Sequence, residues 1–229
     1  MPPAEFYRNR HFGSRCVLVA NGPSLNTMDL SFLRDEIVIG LNKIYLGFKK
    51  FRFYPKYHVA VNLKVIEQGA KEINQLNCVR FIDSRALDLE LLSPSPLTCF
   101  LTERCDLPFS TNLSWGYHQG CTVTHAALQI AYHLGFQTVI IIGLDHRYEY
   151  QGSPGEEQTL DGPDTNHFCE NYFGHGQKWD NPQLADSEFY YARAREAFEA
   201  DGRRIIDATQ DGACPVFEKQ NYKEIFALK

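Results

Sequence analysis

A mostly parallel α/β sheet with helices on both faces is the fold class this sequence predicts, and three observations predict it. Short apolar runs recur along the chain, helical patterns fall between them, and the first run breaks abruptly into Asn21-Gly22-Pro23-Ser24. The runs occupy residues 16–20, 37–41, 57–61, 79–82, 98–101, 138–142 and 204–206. Runs this short, bounded by turn residues, are the pattern of strands buried on both faces of a parallel sheet.

The clearest helical pattern covers residues 122–134, where Val123, Ala126, Ala127, Ile130, Ala131 and Leu134 share one face and Gly135 follows as the stop. A second helix is expected over 182–201, with Pro182 in its first turn and Gly202 ending it. Its inward face is Leu184, Tyr191, Ala194 and Phe198, and Arg193, Arg195, Glu196 and Glu199 form the solvated face. Strands alternating with helices imply right-handed crossovers and a Rossmann-like sandwich. The 229 residues suit one such domain, spanning 1–229. Residues 145–180 fit no period, yet hold Tyr148, Tyr150, Phe168, Tyr172, Phe173 and Trp179. So aromatic a segment is expected to be an ordered lid inserted in the domain rather than a disordered excursion.

Composition narrows the function. With 44% hydrophobic and 22% charged residues the chain can bury a sizeable core, and its formal net charge of -5 argues against general nucleic-acid binding. Seven cysteines without a Cys-x-x-Cys pair suggest neither a disulfide framework nor a zinc ribbon, so reduced thiols and a cytoplasmic location are expected. No run approaches the length of a membrane span, and the N-terminus has no apolar leader.

In open α/β sheets ligands bind at the carboxyl ends of the strands. The Asn21-Gly22-Pro23-Ser24 turn would sit there, where backbone N–H groups can approach a phosphate closely; it is neither a P-loop nor a dinucleotide fingerprint. Asn42 and Asn62 follow the second and third runs, so three asparagines would share one sheet edge, either reading a nucleotide or simply turning the chain. Thr122 is placed to cap its helix or to hold an anion there. Asp145 follows the run at 138–142 and would bind a ribose, Mg²⁺ or a basic lid residue, or serve as a turn cap. His167 and His175 bracket the aromatic part of the lid, and either imidazole suits a general base. Histidines and carboxylates in this segment lack any recognised metal-ligand spacing.

Taken in order, the NGPSL turn, the strand-end asparagines, the Gly143-Leu144-Asp145 edge and Tyr172-Phe173-Gly174-His175 resemble two related groups over residues 16–207. One is the bacterial CMP-sialic acid-dependent sialyltransferases of glycosyltransferase family 42. The other is the MptE-like family, named for an archaeal 6-hydroxymethylpterin diphosphokinase. The first resemblance implies a glycosyltransferase with a nucleotide-sugar donor, a small-molecule or glycan acceptor and no metal. Asn21 and Ser24 would then contact nucleotide phosphate and ribose, Asn42 and Asn62 would hold donor and nucleotide, and His175 would be the base. The sialyltransferases carry an Arg before the position of Thr122 and phosphate-binding tyrosines after the Asp edge. This chain has His118-Gln119-Gly120 at the former, and Arg147 with Tyr148 nearby at the latter. The second resemblance implies ATP, a pterin and Mg²⁺ held partly by Asp145, with Arg147 and Lys178 contributing positive charge. A nucleotide-binding domain without catalysis is the third expectation.

Overall fold

The computed structural model describes residues 1–228. Its main sheet has eight strands, β1 Arg15–Val19, β2 Val38–Leu41, β3 Tyr57–Ala60, β4 Val79–Asp83, β5 Thr98–Leu101, β6 Thr138–Ile142, β9 Arg204–Asp207 and β10 Glu218–Lys219. The two remaining strands, β7 Glu157–Thr159 and β8 Lys178–Asp180, pair antiparallel as a separate ribbon. Every pairing in the main sheet is parallel, in the order β10-β9-β6-β1-β2-β3-β4-β5. The seven apolar runs all became strands of this sheet, and only the two-residue edge strand β10 lacked an apolar signature.

The order carries a functional consequence. From β1 the chain winds outward through β5, then returns to the other side of β1 to lay down β6 and continue outward to β10. The winding reverses between β1 and β6, and a crevice opens at the carboxyl ends of the strands at such a switch point.

Side chains alternate between the two faces of the sheet. Cys16, Leu18, Ile39, Leu41, Val59, Val139 and Ile141 join one buried cluster with α5 (Val123–His133) and α6 (Leu184–Ala200). Val17, Val19, Val38, Ile140 and Ile142 point to the other face. That face is covered partly by short elements, α1 Phe48–Phe51, α2 Leu63–Gln68, α3 Ala70–Gln75, α4 Arg85–Asp88 and α7 Tyr222–Ile225. The rest of the cover is the irregular segment, whose Phe168, Tyr172, Phe173 and Trp179 complete the second cluster.

Both long helices lie within two residues of their expected bounds. Thr122 caps α5 through its hydroxyl oxygen, which accepts from Thr124 N. On α6 the inward face is Tyr191, Ala194 and Phe198 with Ser187, whereas Leu184 is only half-buried at the first residue of the helix. The segment expected to be irregular throughout contains the β7–β8 ribbon. Lys64 on α2 ties that ribbon to the sheet through Glu157 at 2.6 Å and Asp180 at 2.5 Å. Among the described residues every cysteine is unpaired, and no helix is long and apolar enough to cross a membrane.

Candidate functional site

A crevice open to solvent lies over the carboxyl ends of β1, β2, β3 and β6. Asn21 and Gly22 enter it after β1, Asn42 after β2, Asn62 after β3, and Gly143 and Asp145 after β6. The first turn of α5 adds Thr122, Val123 and Thr124, and the lid supplies Arg147, Tyr148, His167, Tyr172 and Trp179.

At the switch point the two strand ends are stitched together. The Asp145 carboxylate accepts from Ser24 N at 3.0 Å and from Ser24 Oγ at 2.6 Å, while Gly22 N donates to Gly143 O at 2.9 Å. Burial raises the Asp145 pKa, and the two Ser24 hydrogen bonds oppose that rise. A side chain at residue 22 would place its Cβ 1.8 Å from Asp145 Oδ2, so only glycine admits the carboxylate this close. The Gly22 and Ser24 donors of the turn are thus consumed inside the protein. Pro23 and Ser24 do not line the crevice, and the turn holds Asp145 where a phosphate was expected.

The asparagines divide. Asn62 caps α2, its Oδ1 accepting from Lys64 N at 2.9 Å and Val65 N at 3.3 Å. Asn42 adopts a left-handed backbone, φ 47°, and its carbonyl pairs with the ring of buried His58. Among the described residues, Asn21 Oδ1 and Asn42 Oδ1 are buried without hydrogen-bond partners. An unsatisfied buried amide in a crevice is a group awaiting a ligand or water.

His167 is the imidazole brought into the crevice. Its Nδ1 lies 2.8 Å from Asp164 Oδ2, and its ring stacks on Tyr172 with centroids 3.9 Å apart. Asp164 also accepts from the backbone N–H groups of Asn166 and Phe173. Burial opposes its ionisation, yet the hydrogen bonds and His167 together hold its carboxyl below the ordinary value. An ionised Asp164 accepts, so Nδ1 carries the proton and Nε2 is the basic nitrogen left to a ligand. His175, by contrast, is exposed in the turn before β8 and does not line the crevice, because the chain after Phe173 bends outward to start that strand.

The sequence singles out Arg147 and Tyr148 as site residues, but not Tyr191 or Lys43. Tyr191 on α6 lines the crevice with its hydroxyl 3.2 Å from Thr122 Oγ1. Buried Lys43 donates to Gln68 Oε1, Tyr172 O and Gln177 Oε1 at 2.7 to 2.9 Å, fastening the lid from beneath. Burial lowers its pKa to about 8, against the pull of Asp164, Cys169 and Glu72. Tyr148 is likewise pushed up to about 12 by burial. Arg147 stands exposed at the rim, its charge acting on Asp145.

The two carboxylates lining the crevice are engaged, Asp145 by Ser24 and Asp180 by Lys64, and Asp164 is engaged by the lining His167. Among the described residues no group of three or more His, Cys, Asp or Glu side chains is placed to hold a metal ion. The residues present do not form a built Mg²⁺ site.

A family model described as 6-hydroxymethylpterin diphosphokinase MptE-like matches residues 2–151. The chain belongs to the MptE-like family. The match runs from the first turn through β6 and Asp145, so the shared part contains the switch point and its stitch, while Asp164 and His167 lie beyond it. No curated protein matches the chain in sequence. Among solved structures, the MAf glycosyltransferase from Magnetospirillum magneticum AMB-1 superposes with a TM-score of 0.57 at 12% identity, over 95% of this chain. The MptE-like chain spans 37% of that protein's length, and the likeness is one of fold.

Proposed function

We propose that the chain is a transferase acting on a nucleotide-activated donor, with a CMP-sugar as donor and a hydroxyl group as acceptor. The observation that carries this reading is the Asp164–His167 pair facing the crevice at the topological switch point. In the reaction, His167 Nε2 takes the acceptor's proton as its oxygen bonds to the anomeric carbon of the donor. The bond from that carbon to the nucleotide phosphate breaks, and the electron pair leaves with the phosphate. Asp164 keeps the imidazole in the productive tautomer and stabilises the imidazolium as it forms. The charge developing on the phosphate meets the N-terminal end of α5, the hydroxyls of Thr122, Tyr148 and Tyr191, and Arg147. Asn21 and Asn42 offer amides to the ribose and base.

The second reading, an ATP-dependent pterin diphosphokinase, is favoured by the description of the family to which the chain belongs. Any Mg²⁺ in that reaction would arrive on the nucleotide phosphates, since the crevice carboxylates are engaged in the protein's own bonds. Thermal-shift titration with CMP, CDP, ATP and ATP–Mg²⁺ separates the two, because a ligand that binds only the folded chain raises its melting temperature. Stabilisation by cytidine nucleotides without metal is expected. Stabilisation by ATP alone, and only with Mg²⁺, overturns the glycosyltransferase reading.

A further inference from the structure

Beside the main crevice, a smaller groove runs between the start of α2, the start of α4 and the loop preceding α5, lined by Val61, Asn62, Leu63, Lys64, Arg85, Gln119 and Asp180. It shares Asn62, Lys64, Gln119 and Asp180 with the crevice, so the two spaces meet along a common wall.

Arg85 is the fixed point of this groove. Its Nε and Nη2 form a fork on Asp83 at 2.8 and 2.7 Å, and Nη2 also lies 2.7 Å from Glu103. Asp83 is fully buried at the end of β4 and also accepts from Tyr117 Oη. The guanidinium plane is thereby held rigid although its side chain is 44% exposed, and Nη1 is left over. A donor fixed before binding loses little entropy when a ligand arrives. Asn62, with Oδ1 committed to its cap, has Nδ2 to offer, and Gln119 adds a second amide. Half-buried Leu63, backed by buried Val61, gives the groove an apolar side.

Around the groove carboxylates outnumber cations. Lys64 is matched by Glu157 and Asp180, and Arg85 by Asp83 and Glu103. A site with planar donors and acceptors, an apolar wall and an excess of carboxylates disfavours an anion and suits a neutral, polyhydroxylated ligand. Vicinal hydroxyls can both donate and accept there, and the C–H face of a sugar ring can lie on Leu63. We infer that this groove is the acceptor subsite and that it takes a neutral pyranoside. The inference rests on the transferase reading of the adjoining crevice, which it supplies with its second substrate.

Leu63, Val61 and Arg85 touch the groove but not the crevice, which makes the test clean. Saturation-transfer NMR on the full chain with CMP present, using methyl glycosides of galactose, glucose and mannose as probes and 6-hydroxymethylpterin as a comparison, reads occupancy directly. Transfer to the ring protons of at least one glycoside is expected. Leu63→Trp, which fills the groove, and Arg85→Lys, which keeps a charge beside Asp83 but removes the planar Nη1 donor, should each weaken that glycoside by about tenfold or more, the scale of one charge-assisted hydrogen bond or a steric block. Stabilisation by CMP should be unchanged in both. Absence of transfer to every glycoside overturns the inference, as does transfer that survives both variants. Binding of the pterin that both variants abolish, without glycoside binding, overturns it too. Groove-dependent glycoside binding in a chain that cytidine nucleotides fail to stabilise overturns the transferase reading and leaves the groove a glycoside site.

Discussion

The parallel sheet and the segment laid across its carboxyl edge are held together by different mixtures of burial, backbone pairing and side-chain polar contacts. In the sheet, Val17, Leu18, Val19, Ile39, Val59, Phe81 and Ile141 are fully buried, and each strand lies in register with parallel neighbours. The segment from Asp145 to Asp180 has a single three-pair ribbon; it buries Phe168, Tyr172, Phe173 and Trp179 and is fastened by Lys43, by Lys64 and by bonds such as Phe168 N to Asn21 O and Asn26 Nδ2 to Phe168 O. Non-directional burial makes a rigid floor. Aromatic burial together with directional polar contacts makes a cover that places an imidazole over that floor.

The largest effect should come from breaking the cover's Asp164–His167 pair. His167→Ala is expected to lower turnover of an identified donor and acceptor by about 10²- to 10⁴-fold, whereas His175→Ala stays within a factor of about two. Equal losses in steady-state assays would erase the distinction between the two histidines. Asp164→Asn should fall towards the His167→Ala level, because an amide no longer enforces the tautomer.

The next test sharpens the contrast between floor and cover through pH. Lys43 has a folded-state pKa of about 8 against an ordinary 10.5. The folded chain therefore releases this proton first, and between those values the unfolded chain binds more protons. Stability should climb with pH across that window by roughly 3 kcal/mol, after allowing for other groups. In Lys43→Met the climb should vanish. Urea unfolding at a series of pH values, with hydrogen exchange at residues 172–177, measures both; a parallel climb in the variant would show that another group is responsible.

Gly22→Ala probes the stitch between floor and cover. Its Cβ has no space beside Asp145 and Gly143 O, so a loss of about 2–3 kcal/mol in urea unfolding is expected, together with weaker nucleotide stabilisation. An unchanged midpoint would mean that the two strand ends separate easily. The smallest effect belongs to the floor's helix cap, where Thr122→Ala should cost about 1 kcal/mol. A loss of nucleotide stabilisation larger than this would mark Thr122 as a ligand contact as well.

The same division governs what the sequence could reveal. The strands and the two long helices were legible because burial imposes a period, and a run such as Thr138–Ile142 has few other uses. The crevice was legible through position, since Asn21, Asn42, Asn62 and Asp145 each follow a strand end. The partners of these residues were not. Ser24 bonds across 121 positions to Asp145, and Lys43 across 129 to Tyr172. No local pattern encodes such pairings. His167 and His175 have equally suggestive neighbours in sequence, and they separate only because Asp164 and the stacked Tyr172 hold one ring inward while the turn before β8 carries the other into solvent.

Asp145 joins the two halves of the sheet at the one place where their winding diverges, and glycine at residue 22 lets it do so at contact distance. The sheet therefore has no hinge at its own switch point. The part able to yield around a ligand is the strap above, so in the transferase reading the dwell time of the product nucleotide follows the strap's fastenings rather than the floor beneath it. Loosening Lys43 or Lys64 should then speed departure as well as arrival.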